Sequence, residues 1–293
     1  MEANFGVNSF IWSENFGLKD LYLFEKAKKM GFDTFDVSIS NPDGFPIQRA
    51  REAAKNAGIS LVVTNVLGKD ANPISPDKSV RMKSIEVLKK LVDITEKLDS
   101  KILTGVNYAS LGYITGKPRT TDEWSWSVDV LRNVAEYALQ NSRIIIAFEP
   151  INRFETFFLN IAADAVKYCQ DIGTSNVAVH LDTFHMIREE TSFTEAVKLC
   201  GKKYLKHIHL GENNRGIPGT GLVPWTELFT ALNDIGYSEA MSIESFDPSF
   251  TGINKICAIW RTYAESGEVL ATEGLKNLKS ILMRMTNYNN IKP

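Results

Sequence analysis

Eight short runs of β-type residues, each followed by an amphipathic helical pattern, constrain this chain more than anything else in it. The runs are FGVNSFI (5–11), TFDVSI (34–39), SLVVTNV (60–66), KILTGV (101–106), RIIIAFE (143–149), VAVHLD (177–182), LKHIHL (205–210) and AMSIES (240–245). Their starts lie 26 to 42 residues apart, which is the length of one strand–helix unit. The intervening helices carry end signals. LKDLYLFEKAKKMG (18–31) ends on Gly31, and PIQRAREAAKNAG (46–58) opens on Pro46 and ends on Gly58. Proline suits a first helical turn and glycine a left-handed C-cap. The stretch 77–100 is periodic throughout, and 121–142 opens with Thr121 as a capping residue. Strand–helix alternation requires a parallel sheet. Eight such units close into a barrel at about 250 residues. The competing architecture, an open doubly wound sheet, lacks its GxGxxG signature after the first run. The expected fold is therefore α/β, a single (β/α)8 TIM barrel over residues 1–285, with 286–293 as a polar C-terminal tail.

Composition narrows the function classes. A 293-residue chain that is 44% hydrophobic can bury a large core. Its 33 basic and 35 acidic side chains give a net charge of −2. That balance argues against nucleic acid or a membrane surface as partner, since both need a basic excess. The cysteines, Cys169, Cys200 and Cys257, are odd in number and form no CxxC pair. They fit reduced thiols better than a disulfide framework. The start has no secretory pattern and no apolar run reaches the roughly 18 residues of a membrane span. A cytoplasmic location is expected.

Barrels of this kind build their sites at the C-terminal ends of the strands. The fifth run ends on Glu149, the sixth on Asp182, the seventh on His209 and the eighth on Glu244. The separations are 33, 27 and 35 residues, one unit each. Three carboxylates on one rim repel one another unless a cation sits among them. Three oxygen donors and one imidazole suit a divalent ion such as Mn²⁺, Co²⁺ or Mg²⁺. The chain's four histidines are too few for a multi-zinc barrel. His180 and His207 share strand parity with Asp182 and His209, so they point inward as hydrogen-bonded core groups. Glu155, His185 and Arg215 lie in the loops that follow these strands. Trp12, Phe16, Tyr108, Tyr113 and Phe246 are placed near the rim, where aromatic faces suit the C–H faces of a sugar. Phe10 reads as core.

The segments EPINRFET (149–156), LDTFHM (181–186), HIHLGENNRGIPGTG (207–221) and IESF (243–246) resemble the D-tagatose 3-epimerase family. That family includes the D-psicose (D-allulose) 3-epimerases and related ketose 3-epimerases. The opening GVNSFIWS (6–13) is similar to the branch active on L-ribulose. The resemblance spans Gly6 to about Arg261. It implies that Glu149, Asp182, His209 and Glu244 bind the metal, usually Mn²⁺ or Co²⁺ and sometimes Mg²⁺. It implies that Glu149 and Glu244 are also the acid/base pair, and that Glu155, His185 and Arg215 hold the ketose near its carbonyl. It further implies a homodimer or homotetramer. The chain departs from the family at Asn8, which is aromatic in some members and faces the far end of the sugar there. The segment 107–124 also looks long. Both changes bear on which ketose is bound. Two other readings share the constellation: an aldose–ketose isomerase or inosose-type dehydratase, and a non-catalytic sugar-binding barrel.

Overall fold

In the computed structural model, which describes residues 3–291, eight parallel strands close into one barrel in chain order. They are β1 (Asn4–Asn8), β2 (Thr34–Ser38), β3 (Ser60–Leu67), β4 (Ile102–Ser110), β5 (Ile145–Phe148), β6 (Val177–Asp182), β7 (Leu205–His209) and β8 (Ala240–Ile243). The helices are α1 (Tyr22–Met30), α2 (Ile47–Ala57), α3 (Lys78–Lys97), α4 (Thr121–Asn141), α5 (Ala162–Ile172), α6 (Thr183–Glu189), α7 (Phe193–Tyr204), α8 (Trp225–Asp234), α9 (Ile253–Cys257) and α10 (Gly267–Ile291). The ring closes where β1 pairs with β8 as well as β2. Gly6 lies opposite Thr34 on one side and Ser242 on the other.

Strand alternation decides what faces the barrel interior. Phe35, Val63, Ile146, Phe148, Val179 and Ile208 belong to the large apolar core between strands and helices. The inward set has two floors. Val62, Ile102, Ala147 and Ala178 form a separate apolar plug. Beyond it toward the strand ends the inward positions turn polar: Asp36, Ser38, Thr104, His180, His207 and Ser242, all buried. An unpartnered buried polar group costs about 1–3 kcal/mol, and these residues bond one another. Thr104 Oγ1 lies 2.9 Å from His180 Nδ1, and Asp36 takes His207 Nε2 and Ser242 Oγ, each at 2.7 Å. The inward orientation expected of His180 and His207 is what the strands produce.

Local boundaries differ from the sequence expectation at three places. β1 ends at Asn8, and Ser9–Ile11 forms a 3-10 turn that Asn8 caps through Phe10 N–H. β4 runs on to Ser110. The cap of α4 is Thr120 and not Thr121: Thr120 Oγ1 accepts Glu123 N–H while the Glu123 carboxylate accepts Thr120 N–H. Gly31 and Gly58 do cap α1 and α2 in the left-handed region, at φ 95° and 66°. The polar stretch from 286 continues the backbone of α10 through Ile291. Lys292 and Pro293 lie outside the described residues. No helix among the described residues is long and apolar enough to cross a membrane. All three cysteines are free and buried.

Candidate metal centre and active site

Strands β5 to β8 each deliver one polar group to the same cluster, Asp182 and His209 as last strand residues and Glu149 and Glu244 as the residues just after. Glu149, Asp182, His209 and Glu244 are all buried, and one donor atom from each lies within 4.8 Å of the others. His209 Nδ1 stands 3.2 Å from Glu244 Oε1 and 3.6 Å from Glu149 Oε1. Asp182 closes β6 and its Oδ1 accepts Phe184 N–H at 2.8 Å, capping α6. That cap turns His185 back toward the cluster, with Nε2 3.6 Å from Asp182 Oδ2. Arg215 is buried, in a loop after β7 at φ 61°. Its Nη1 donates to Asp182 Oδ2 and Glu244 Oε2, both at 2.9 Å.

The electrostatics are those of crowded carboxylates out of water. Burial pushes Glu149 up to about 7; the His209 imidazole pulls the other way, and Glu244 and Asp182 add to the rise. Burial also raises Asp182, against the pull of Arg215. Glu244 goes the other way: burial works against its charge, but His209 and Arg215 outweigh it and hold it below the ordinary range. Burial would depress His209, yet the Glu244 carboxylate with Asp36 and Glu149 keeps its proton affinity well above the ordinary value. The fit to a metal ion is direct: Nδ1 of His209 is buried without a hydrogen-bond partner and faces the carboxylates. Three carboxylates and one imidazole suit a divalent cation of the Mn²⁺, Co²⁺ or Mg²⁺ kind.

A second set of groups stands beside the cluster. Asn152 N–H donates to His185 Nδ1 at 3.0 Å, and Asn152 Nδ2 lies 2.9 Å from the same atom. With Nδ1 accepting, a neutral His185 carries its proton on Nε2; burial and the nearby Arg215 charge keep the ring neutral. Arg215 Nη2 lies 3.3 Å from that Nε2. Both atoms are donors, so they cannot bond each other and converge on a shared place for an acceptor. Asn152 Nδ2 also donates to Glu155 Oε1 at 2.7 Å, and Cys257 Sγ approaches Glu155 Oε2 at 3.8 Å. The Arg215 guanidinium stacks 3.7 Å from the Phe184 ring centre and 5.0 Å from Phe246. Asn8 donates from Nδ2 to Glu244 Oε1 at 3.3 Å.

Of the residues expected at the site, Glu149, Asp182, His209, Glu244, Glu155, His185, Arg215, Asn8 and Phe246 come together. Phe10 packs on Phe246 with Cys257 and Ile259. Tyr113 is half-buried in the loop after β4, against Phe157. Three expected aromatics are elsewhere. Trp12 stacks on Phe35, and Phe16 packs on Phe24 and Phe35, behind β2. Tyr108 is fully buried among Phe158 and Tyr168, its hydroxyl donating to the Glu149 carbonyl at 2.8 Å. The segment 107–124 is shorter as a loop than its sequence suggests, because β4 takes it to Ser110 and α4 starts at Thr121. Sequence reasoning missed Asp36, Asn152 as the partner of His185, and Glu212. Glu212 is buried and accepts the N–H groups of Gly219, Val223 and Trp225 Nε1, which shapes the loop that carries Arg215. An acid three residues past the end of β7 was the available signal.

Comparison with known proteins agrees with this geometry. The family described as xylose isomerase-like TIM barrel matches residues 24–281. An L-ribulose 3-epimerase of Mesorhizobium japonicum is 32% identical over 272 residues, 92% of this chain and 91% of that protein. A D-psicose 3-epimerase of Agrobacterium fabrum is 33% identical over 269 residues, 90% of this chain and 92% of that protein. A solved L-ribulose 3-epimerase superposes with a TM-score of 0.91 at 29% identity, covering 99% of this chain and all 100% of that one. The D-psicose 3-epimerase of Clostridium cellulolyticum H10, solved with D-tagatose, gives 0.87 at 29% identity over 95% and 99% of the two chains. The chain belongs to the xylose isomerase-like TIM barrel family and, within it, stands among the ketose 3-epimerases.

Proposed function

We propose that this protein is a metal-dependent ketose 3-epimerase. It interconverts free ketoses epimeric at carbon 3, such as D-fructose and D-allulose, D-tagatose and D-sorbose, or L-ribulose and L-xylulose. The observation that carries the reading is the pair Glu149 and Glu244, delivered by β5 and β8 to one cluster with Asp182 and His209 between them in the ring. A divalent ion held by these four, Mn²⁺ or Co²⁺ ahead of Mg²⁺, supplies Lewis-acid polarisation of the ketose carbonyl and its neighbouring hydroxyl.

The chain's own groups do the rest. Epimerisation removes the proton on carbon 3, next to a carbonyl, and returns one to the opposite face. That needs two carboxyl groups, one on each face. Glu149 and Glu244 are the two carboxyl groups of the cluster that β5 and β8 deliver, one for each face of carbon 3. The enediolate formed on proton loss carries negative charge on oxygen. His185 Nε2–H and Arg215 Nη2–H converge where that charge develops, and Glu155 anchors a neighbouring hydroxyl. Phe246 and Asn8 border the sugar. Tyr113, next to Gly112 whose N–H bonds the Glu155 carbonyl, is kept as a contact at the edge of the sugar pocket, whereas Trp12, Phe16 and Tyr108 pack behind the strands. A cytoplasmic, homo-oligomeric enzyme with a small sugar as its partner completes the proposal; three free thiols support the compartment.

The test is incubation in D₂O. The chain is stripped with chelator, reloaded with Mn²⁺ and given D-fructose, D-tagatose, D-allulose or L-ribulose, with products read by chromatography and proton NMR. An epimer carrying deuterium at carbon 3 is expected. An aldose or a dehydrated product would assign the barrel to isomerase or dehydratase chemistry, and binding without turnover would make it a sugar-binding protein.

A further inference from the structure

Asp36 lies at the centre of the buried polar core, on β2, across the barrel from the strands that carry the metal ligands. It is fully buried. Three donors end on its carboxylate. Ser242 Oγ donates to Oδ1 at 2.7 Å, and Oδ2 lies 2.7 Å from His207 Nε2 and 3.1 Å from His209 Nε2. An ionised carboxylate only accepts. His207 and His209 must therefore both present N–H at Nε2. An imidazole that ligates a cation is neutral and carries one N–H, so with Nε2–H of His209 committed to Asp36 its Nδ1 is the lone pair left to ligate. That atom is the one facing Glu149 and Glu244, buried and without a hydrogen-bond partner. Asn8 Nδ2 also lies 3.5 Å from His209 Nε2, but it is a donor with a nearer acceptor in Glu244 at 3.3 Å. Asp36 is the acceptor that His209 has.

We propose that Asp36 is the positioning residue of the metal centre: through its Oδ2 it selects the Nε2–H tautomer of His209 and so aims the Nδ1 lone pair at the cation. Ser242 fixes the rotation of the carboxylate from the other oxygen. Carboxylate partners of this kind orient ligand imidazoles and raise their basicity. The inference rests on the metal reading above. It adds a residue from the half of the barrel that contributes no ligand.

The test uses the full chain, stripped with chelator and titrated with Co²⁺ by calorimetry and visible absorption, with circular dichroism as the control for folding. Asp36→Asn turns an amide donor or a weaker acceptor toward His209. Its Co²⁺ affinity is expected to fall about 10- to 100-fold. Ser242→Ala leaves both imidazole contacts in place and is expected to lose much less. Independently of any variant, long-range ¹H–¹⁵N correlation on the Mg²⁺-loaded wild type is expected to show His209 as the Nε2–H tautomer. A folded Asp36→Asn protein that binds Co²⁺ like the wild type overturns the proposal. An Nδ1–H tautomer at His209 does so even if Asp36→Asn fails to fold. A wild type that binds no divalent ion removes the metal reading itself, which is a separate failure.

Discussion

Glu149 and Glu244 carry the same side chain in opposite electrostatic settings: His209 and Arg215 together outweigh burial at Glu244, whereas at Glu149 burial outweighs His209. Glu244 has Arg215 and Asn8 as donors. Glu149 has His180 Nδ1 at 3.6 Å, itself engaged with Thr104. Replacing either by glutamine keeps the volume and removes the proton-transfer group. Glu149→Gln and Glu244→Gln are each expected to lower turnover by at least about 10²–10⁴-fold, with the circular dichroism spectrum unchanged; near-normal turnover in either would sink the two-carboxylate mechanism. These two were legible because each follows an apolar strand, where a charge stands out. Asp36 was not. In TFDVSI it sits mid-strand, where alternation says only that it faces one way and not what waits there. Its partners are contributed from 171 and 206 residues away. Trp12 and Phe16 failed for a related reason: residue type suggests a rim aromatic, but direction depends on the turn after Asn8, which carries both behind β2.

At the scale of one element, β4 shows how local irregularity redirects a strand. Thr104 faces inward to His180. Tyr108, of the same parity, would also face inward on a regular strand. Gly105 stands at φ 111°, in the left-handed region, and the register against β3 shifts between Val106 and Ser110. Within that stretch Tyr108 lies in the outer layer, where its hydroxyl braces the Glu149 carbonyl. A Cβ on Gly105 would also lie 2.2 Å from the Asn65 carbonyl oxygen. Gly105→Ala is expected to cost about 1–3 kcal/mol from the backbone conformation alone, and more from the overlap. Urea unfolding measures this, and a variant as stable as wild type would show that β4 tolerates regular geometry. The eight strands and most helices were readable because period and caps are local. The position of Tyr108 was not, because the sequence shows neither the sign of a glycine's φ nor a shift of register.

For the whole molecule, the metal-free barrel holds charge that it can shed only by binding protons or a cation. The folded state keeps a proton on Glu149 up to about pH 7, whereas an unfolded glutamate releases it near pH 4.3 or so, about the model-peptide value. Between those values the folded state binds the extra proton, so this group's contribution to stability falls as pH rises. The melting temperature of chelated wild type relative to chelated Glu149→Gln is expected to decline between about pH 5 and pH 7. Metal binding requires the ionised carboxylate, so the rise in melting temperature on adding Co²⁺ should grow over the same interval. At a hundredfold excess over Kd that gain is about 2.7 kcal/mol. A relative melting temperature flat in pH would show that Glu149 is already ionised in the chelated fold. The seam of the ring has a further consequence. β1 and β8 are the first and last strands made, and they meet at Gly6–Ser242, with Asn8 reaching across to Glu244. During synthesis every strand but the last can emerge with the ligand set still incomplete, and Glu244 arrives only with the strand that shuts the barrel. Closure and completion of the four-residue cluster are then one event: a nascent or truncated chain short of that strand lacks Glu244.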